Sequence, residues 1–156
     1  MSLSTPLIKG GVTTTEVIGD DSLSASAKSV NHTQFDESVT PSPATLFSGA
    51  VYALEDGAKT IDLRALRTVA GGTGDGNGLK VQGLFFKNLG ANVMTIEEGA
   101  SNGYAIFGAS GLVVVPPGGW IAASFNDASA DVASGDKEID VSGTGVQTFE
   151  FALILG

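Results

Sequence analysis

From Leu79 onward the chain alternates short apolar β-type runs with glycine-rich turns. The runs are Leu79–Leu89, Val93–Glu97, Tyr104–Phe107, Leu112–Val115, Trp120–Phe125, Glu138–Ser142 and Gln147–Leu155. Glycine stretches separate most of them, with the Asn126–Asp136 loop as the long exception. Many short strands at regular spacing predict an all-β sandwich or barrel. The last run has the cleanest period of two. Phe149, Phe151, Leu153 and Leu155 share one face, and Glu150, Ala152 and Ile154 the other. The first set is therefore predicted core. Leu79–Leu89 reads differently, with Leu79, Val81, Phe85 and Leu89 on one face and Leu84 and Phe86 on the opposite one. Large apolar groups on both faces predict either cover on both sides or a subunit contact. Leu84 and Phe86 are thus candidate oligomer-interface residues, the competing reading being burial under the N-terminal segment.

Upstream, Ala50–Glu55 predicts a strand, Glu55-Asp56-Gly57 its turn, and Thr60–Leu63 a second strand with Ile61 and Leu63 inward. Leu66–Thr73 predicts a connection or a single helical turn. No apolar spacing sustains a helix elsewhere. Residues 1–45 are rich in Ser and Thr, carry one β-type run (Val12–Ile18), and close on Pro41-Ser-Pro43. They predict an extended polar arm, ordered where it lies against something else; Val12–Ile18 pairing with the domain edge is the alternative. The expected architecture is a jelly-roll-like antiparallel β-sandwich of about eight strands over 46–156, preceded by the arm.

Composition narrows the function. A chain of 156 residues, 42% hydrophobic, supports one domain with a real core. Seventeen acids against eight Lys and Arg give a net charge of −9. That balance argues against a nucleic-acid surface, which binds through basic residues, and against anionic membranes. No cysteine is present, so disulfides, thiolate nucleophiles and cysteine zinc sites are excluded. The start Met1-Ser-Leu-Ser-Thr-Pro6 has neither the basic nor the apolar region of a secretory signal, and no apolar run approaches about 20 residues. A soluble protein without a leader is the expectation.

Candidate chemistry is sparse. Gly71–Gly78 is glycine-rich, but a strand rather than a helix follows it, no Lys-Ser or Lys-Thr closes it, and Asp75 opposes phosphate. It reads as a connection in which Asn77-Gly78 supplies positive φ. The acid pairs Glu55/Asp56, Glu97/Glu98 and Asp127/Asp131 lie in or beside turns, where solvated acids are ordinary. A weak calcium site in Asn126–Asp131 is the one metal option. His32, the single histidine, sits in the polar arm without an evident partner for a triad. Trp120 follows Pro116-Pro-Gly-Gly119 and has two readings: a platform that stacks on a sugar ring, or a filler at the end of the core. No catalytic, cofactor-binding or metal-binding residue is assigned, and a non-enzymatic protein is expected.

The segments Ala58-Lys-Thr-Ile-Asp-Leu63, Gly78-Leu-Lys-Val-Gln82 with Phe86-Lys-Asn88, Ile96-Glu-Glu-Gly-Ala-Ser-Asn102, Val115-Pro-Pro-Gly-Gly119 and Ile139-Asp-Val-Ser-Gly-Thr-Gly145 occur in an order with a counterpart elsewhere. Over about residues 50–156 the chain resembles small β-rich virion structural proteins from the head-gene region of tailed bacteriophages and prophages. The resemblance rests on turn and strand signatures, so it carries over no functional residue. It implies a capsid decoration or cement protein that is assembled in the bacterial host cytoplasm and resides in the virion. Such proteins commonly form trimers and grip neighbouring subunits with extended arms, so the implied partners are the chain itself and a major capsid protein. A carbohydrate- or receptor-binding module of a tail or fibre, with Trp120 in its site, is the alternative.

Overall fold

The computed structural model describes residues 8–18, 28–39, 44–68, 71–125 and 129–156, the first two stretches in backbone only. Among them every regular element is a β-strand: β1 (Ile8–Ile18), β2 (Lys28–Val39), β3 (Leu46–Ala53), β4 (Ala58–Asp62), β5 (Leu66–Arg67), β6 (Thr73–Gly74), β7 (Val81–Asn88), β8 (Met94–Glu98), β9 (Leu112–Val115), β10 (Trp120–Ser124), β11 (Glu138–Gly143) and β12 (Thr148–Leu155). No helix among the described residues is long and apolar enough to cross a membrane.

Two four-stranded antiparallel sheets, ordered β10-β7-β12-β3 and β4-β11-β8-β9, make the sandwich. Their facing sides form one core. Leu84, Phe86, Phe149, Phe151, Leu153 and Leu155 come from the first sheet; Ile61, Met94, Ile96, Val115, Ile139 and Val141 come from the second. The alternation of the last strand is realised in full, since Phe149, Phe151, Leu153 and Leu155 are all buried. Phe149 stacks on Phe86 at 5.2 Å between ring centroids, and Tyr52 stacks on its other side at 5.7 Å. β12 is hydrogen-bonded along its length to β3 on one side and β7 on the other.

The turn between β3 and β4 follows its local chemistry. Asp56 and Gly57 both have positive φ, 52° and 85°, and Glu55 pairs with Ala58 around them. That is the geometry an Asp-Gly pair favours in a two-residue hairpin. Gly78 likewise takes φ 74°, as Asn77-Gly78 predicts.

Four expectations are corrected. Leu84 and Phe86 do not face outward; they are 2% and 0% exposed, inside the core. The cause is a bulge. Ile154 pairs with Gly83 while Leu155 pairs with Val81, so Gln82 is an extra residue that shifts the alternation. Val81 and Leu84 consequently both point inward, and Phe85 takes the outer face. The described residues of Leu66–Thr73 form no helical turn and leave the connection reading standing; Leu66–Arg67 and Thr73–Gly74 form a small two-stranded ladder. Tyr104–Phe107 is a turn rather than a strand, and the buried Tyr104 hydroxyl donates to the Ala130 carbonyl at 2.7 Å. Burial holds the Tyr104 phenol above its ordinary value.

The fourth concerns the N-terminal segment, which contains two long strands instead of one short one. β1 and β2 pair antiparallel from Ile8↔Val39 to Ile18↔Lys28, with a register shift at Val12/Thr13. This ladder joins neither sandwich sheet, although β1 passes close to β10. β2 escapes a reading by alternation because Asn31-His-Thr-Gln34 offers no apolar period. Backbone pairing along β1 makes it a strand.

Candidate functional site

The two outer faces of the sandwich differ in chemistry. On the β4-β11-β8-β9 sheet, cross-strand register aligns Thr60, Asp140, Glu97 and Leu112 in one outward row. Asp62 pairs with Glu138 at the end of the sheet. Toward β4, β11 and β8 this side is acidic and hydrogen-bonded within itself, and at its β9 edge Leu112 and Val114 are exposed, 53% and 56%. Thr60 donates its hydroxyl to Asp140 at 2.6 Å, and the Ala100 amide donates to the same carboxylate at 2.9 Å. Lys137 donates to Asp62 at 2.8 Å and lies 3.5 Å from Glu138.

Partial burial is the largest single influence on Asp62 and pushes its pKa up. The Lys137 hydrogen bond, the Arg64 amide and the charges of both cations together outweigh it, so the carboxyl sits below its usual range. Lys137 is raised in turn, first by its hydrogen bond to Asp62. These groups satisfy one another, which is what a structural clamp does.

A shallow cleft beside this face is lined by Glu97, Glu98, Gly99, Ser110 and Gly111. Glu98 accepts from the Ser110 amide at 3.3 Å. No group of three or more His, Asp or Glu among the described residues is disposed to hold a metal. The candidate calcium loop Asn126–Asp131 lies partly outside the described residues, Asp127 included. His32 lies in β2 opposite Thr14, and only its backbone is described. Asp75 accepts from the Asn77 amide and from Arg64, and these two bonds hold its carboxyl below the usual range. It fastens the glycine-rich connection to the sandwich.

The β10-β7-β12-β3 sheet presents the opposite character. Register aligns Trp120, Lys87, Glu150 and Val51 in one outward row. The next row is Ala122, Phe85, Ala152 and Gly49, and the third is Ser124, Gly83, Ile154 and Phe47. Most of these side chains are apolar. Trp120 is 60% exposed, Val51 53% and Phe47 39%. Trp120 therefore does not fill the end of the core. It lies on the outer face with its ring stacked on Phe85 at 6.3 Å.

This face is the strongest candidate for a functional surface, because contiguous exposed apolar area of this kind marks a contact or binding site. Trp120 was legible from sequence, whereas Phe85, Val51 and Phe47 were not. Phe85 is placed by the Gln82 bulge, which period-two counting does not register. Phe47 is placed by β3 beginning at Leu46, four residues before the predicted start, and Val51, inside the predicted strand, is set on the outer face by its pairing with Glu150. No protein-family model, curated protein or solved structure matches the chain.

Proposed function

We propose that this chain is a non-enzymatic virion structural protein of a tailed phage, a capsid decoration or cement protein that works by assembly. Strand order is the observation that carries the reading. With β5 and β6 set aside as a local ladder, consecutive sandwich strands alternate between the sheets at every step except β8 to β9. The orders β10-β7-β12-β3 and β4-β11-β8-β9 support reading the sandwich as a double-sheet jelly roll, an architecture used by viral capsid and lectin domains.

Fold alone does not choose between such functions. Two further features favour assembly. β1 and β2 form a ladder of 11- and 12-residue strands that pairs with no other strand among the described residues, and a lone two-stranded ribbon is at best marginally stable in water. An arm of this kind gains order from what it grips. The apolar outer face beside it is a second surface that calls for cover. The resemblance across residues 50–156 points the same way, toward a protein that partners itself and a major capsid protein in the virion.

Two measurements test the reading. The coding sequences beside this one should include a major capsid protein, portal or head protease. The purified protein should co-sediment with shells made by that capsid protein. A strict monomer that leaves such shells bare overturns the proposal.

One observation favours a second reading. An exposed tryptophan stacked on Phe85 is a platform that suits a sugar ring, as in a carbohydrate- or receptor-binding module of a tail or fibre. Binding on a glycan array that disappears in Trp120→Ala would establish it; an array without hits removes it.

A further inference from the structure

We infer that the outer face of the β10-β7-β12-β3 sheet is a self-association surface on which a second copy of this chain packs about a two-fold axis. This deepens the assembly reading by naming the surface. It rests on that reading for its purpose, and its test is separate.

Charge selects the occupant. The chain carries a net charge of −9, so two copies repel wherever acids meet. The β4-β11-β8-β9 side presents Asp62, Glu97, Glu138 and Asp140, with Lys137 as the cation paired there. Two such faces would oppose like charges. The other outer face holds one cation and one anion, Lys87 and Glu150, which are direct cross-strand neighbours. They form no ion pair with each other or with any other described residue. An isologous contact is self-complementary by symmetry. A two-fold axis passing near these residues sets Lys87 of one copy against Glu150 of the second, twice. The surrounding apolar groups, Trp120, Val51 and Phe47 above all, are then removed from water on both copies.

Size sets the strength. Four strands spaced about 4.8 Å apart, each running about five residues at about 3.4 Å rise across the three outward rows, give a face of roughly 200–330 Å² per copy. That is below the roughly 800 Å² per partner of a standard stable interface. The pairing is therefore weak and reversible in isolation, suited to reinforcement when copies are held close on a lattice.

Trp120 is the single tryptophan, so its emission reports directly on the face. Sedimentation velocity and tryptophan emission are recorded together on the full chain from ~1 µM to several hundred µM, the range in which a contact of this size associates. The expected result is a mass rising from 15.7 kDa toward two chains, with the emission maximum moving to the blue over the same concentrations. Val51→Asp and Lys87→Glu should each weaken pairing by about tenfold or more, on the scale of about 1.4 kcal/mol per decade. Both positions are on the surface, so the sandwich tolerates the changes. The double exchange Lys87→Glu with Glu150→Lys should recover most of the loss. A monomer at every concentration overturns the inference, as does a plateau at three chains. An oligomer whose emission stays fixed and whose mass ignores Val51→Asp also overturns it. That last result leaves the assembly reading standing on another surface, because shell binding is read independently.

Discussion

At the scale of single residues, the bulge at Gln82 decides which side chains are structural and which are available. It turns Leu84 and Phe86 inward and leaves Phe85 to stack beneath Trp120. Phe86→Ala should then behave as a core truncation. Fully buried and stacked on Phe149, it should cost about 3–5 kcal/mol. For a chain of this size that lowers the melting temperature by roughly 10 °C or more, read by calorimetry. Its self-association at a temperature where it stays folded should match the parent; a loss there would return Phe86 to the interface. Asp62 makes a second residue-scale prediction. Its carboxyl is held below the ordinary value of 3.8, so the fold favours the ionised form. That stabilisation is complete above the unfolded value and is lost as pH falls through the lower folded one. The matching contribution of Lys137, raised above 10.5, is present below that value and lost at still higher pH. Asp62→Asn should flatten the fall in melting temperature below about pH 4 and change little at neutrality, since the pair is partly solvated and screened. An unchanged acid limb would show that the Lys137 contact contributes nothing.

Among the elements, β12 carries the most. It lies between β7 and β3, contributes Phe149, Phe151, Leu153 and Leu155 to the core, and pairs over its whole length on both sides. At about 1.5–3 kcal/mol for each buried side chain, these four supply roughly 6–12 kcal/mol. Domains as a whole are stable by about 5–15 kcal/mol. Removing residues 149–156 should therefore abolish the cooperative thermal transition and the near-ultraviolet circular dichroism; a truncated chain with a sharp transition would refute this ranking. β12 is also the element most legible in the sequence, because an interior strand with one core face writes its burial as strict alternation. β7 was legible as a strand but not as a face, since one inserted residue inverts every assignment beyond it. Tyr104–Phe107 has strand composition and makes a turn, where the Tyr104 hydroxyl is spent on the Ala130 carbonyl. β2 has no apolar pattern and exists through its pairing with β1. The candidate surface was readable only at Trp120, because Phe85 is set by the bulge, Phe47 by the strand start and Val51 by its cross-strand pairing, all of which tertiary pairing chooses.

At the scale of the molecule, the described residues divide into a sandwich that closes its own core and a two-stranded ladder that does not join it. Among the residues whose side chains are described, the buried apolar core runs from Leu54 to Leu155, and the two sandwich sheets close on each other without a strand from the ladder. The nearest tie after the ladder, the Thr45 amide donating to the Leu155 carbonyl at 2.8 Å, belongs to the sandwich itself. A chain beginning at Ala44 should consequently fold with a melting temperature within a few degrees of the parent. If the ladder is the element that grips a neighbour, the same truncation should abolish co-sedimentation with capsid shells. Pairing through the Trp120 face, which lies on the sandwich, should persist, as read by the concentration dependence of tryptophan emission. Ordering a residue costs about 1–2 kcal/mol, so a long arm is retained only where its contacts return more than that on binding. A truncated chain that melts far below the parent would instead make the ladder part of the folding unit. One that still coats shells would transfer the gripping role to the sandwich.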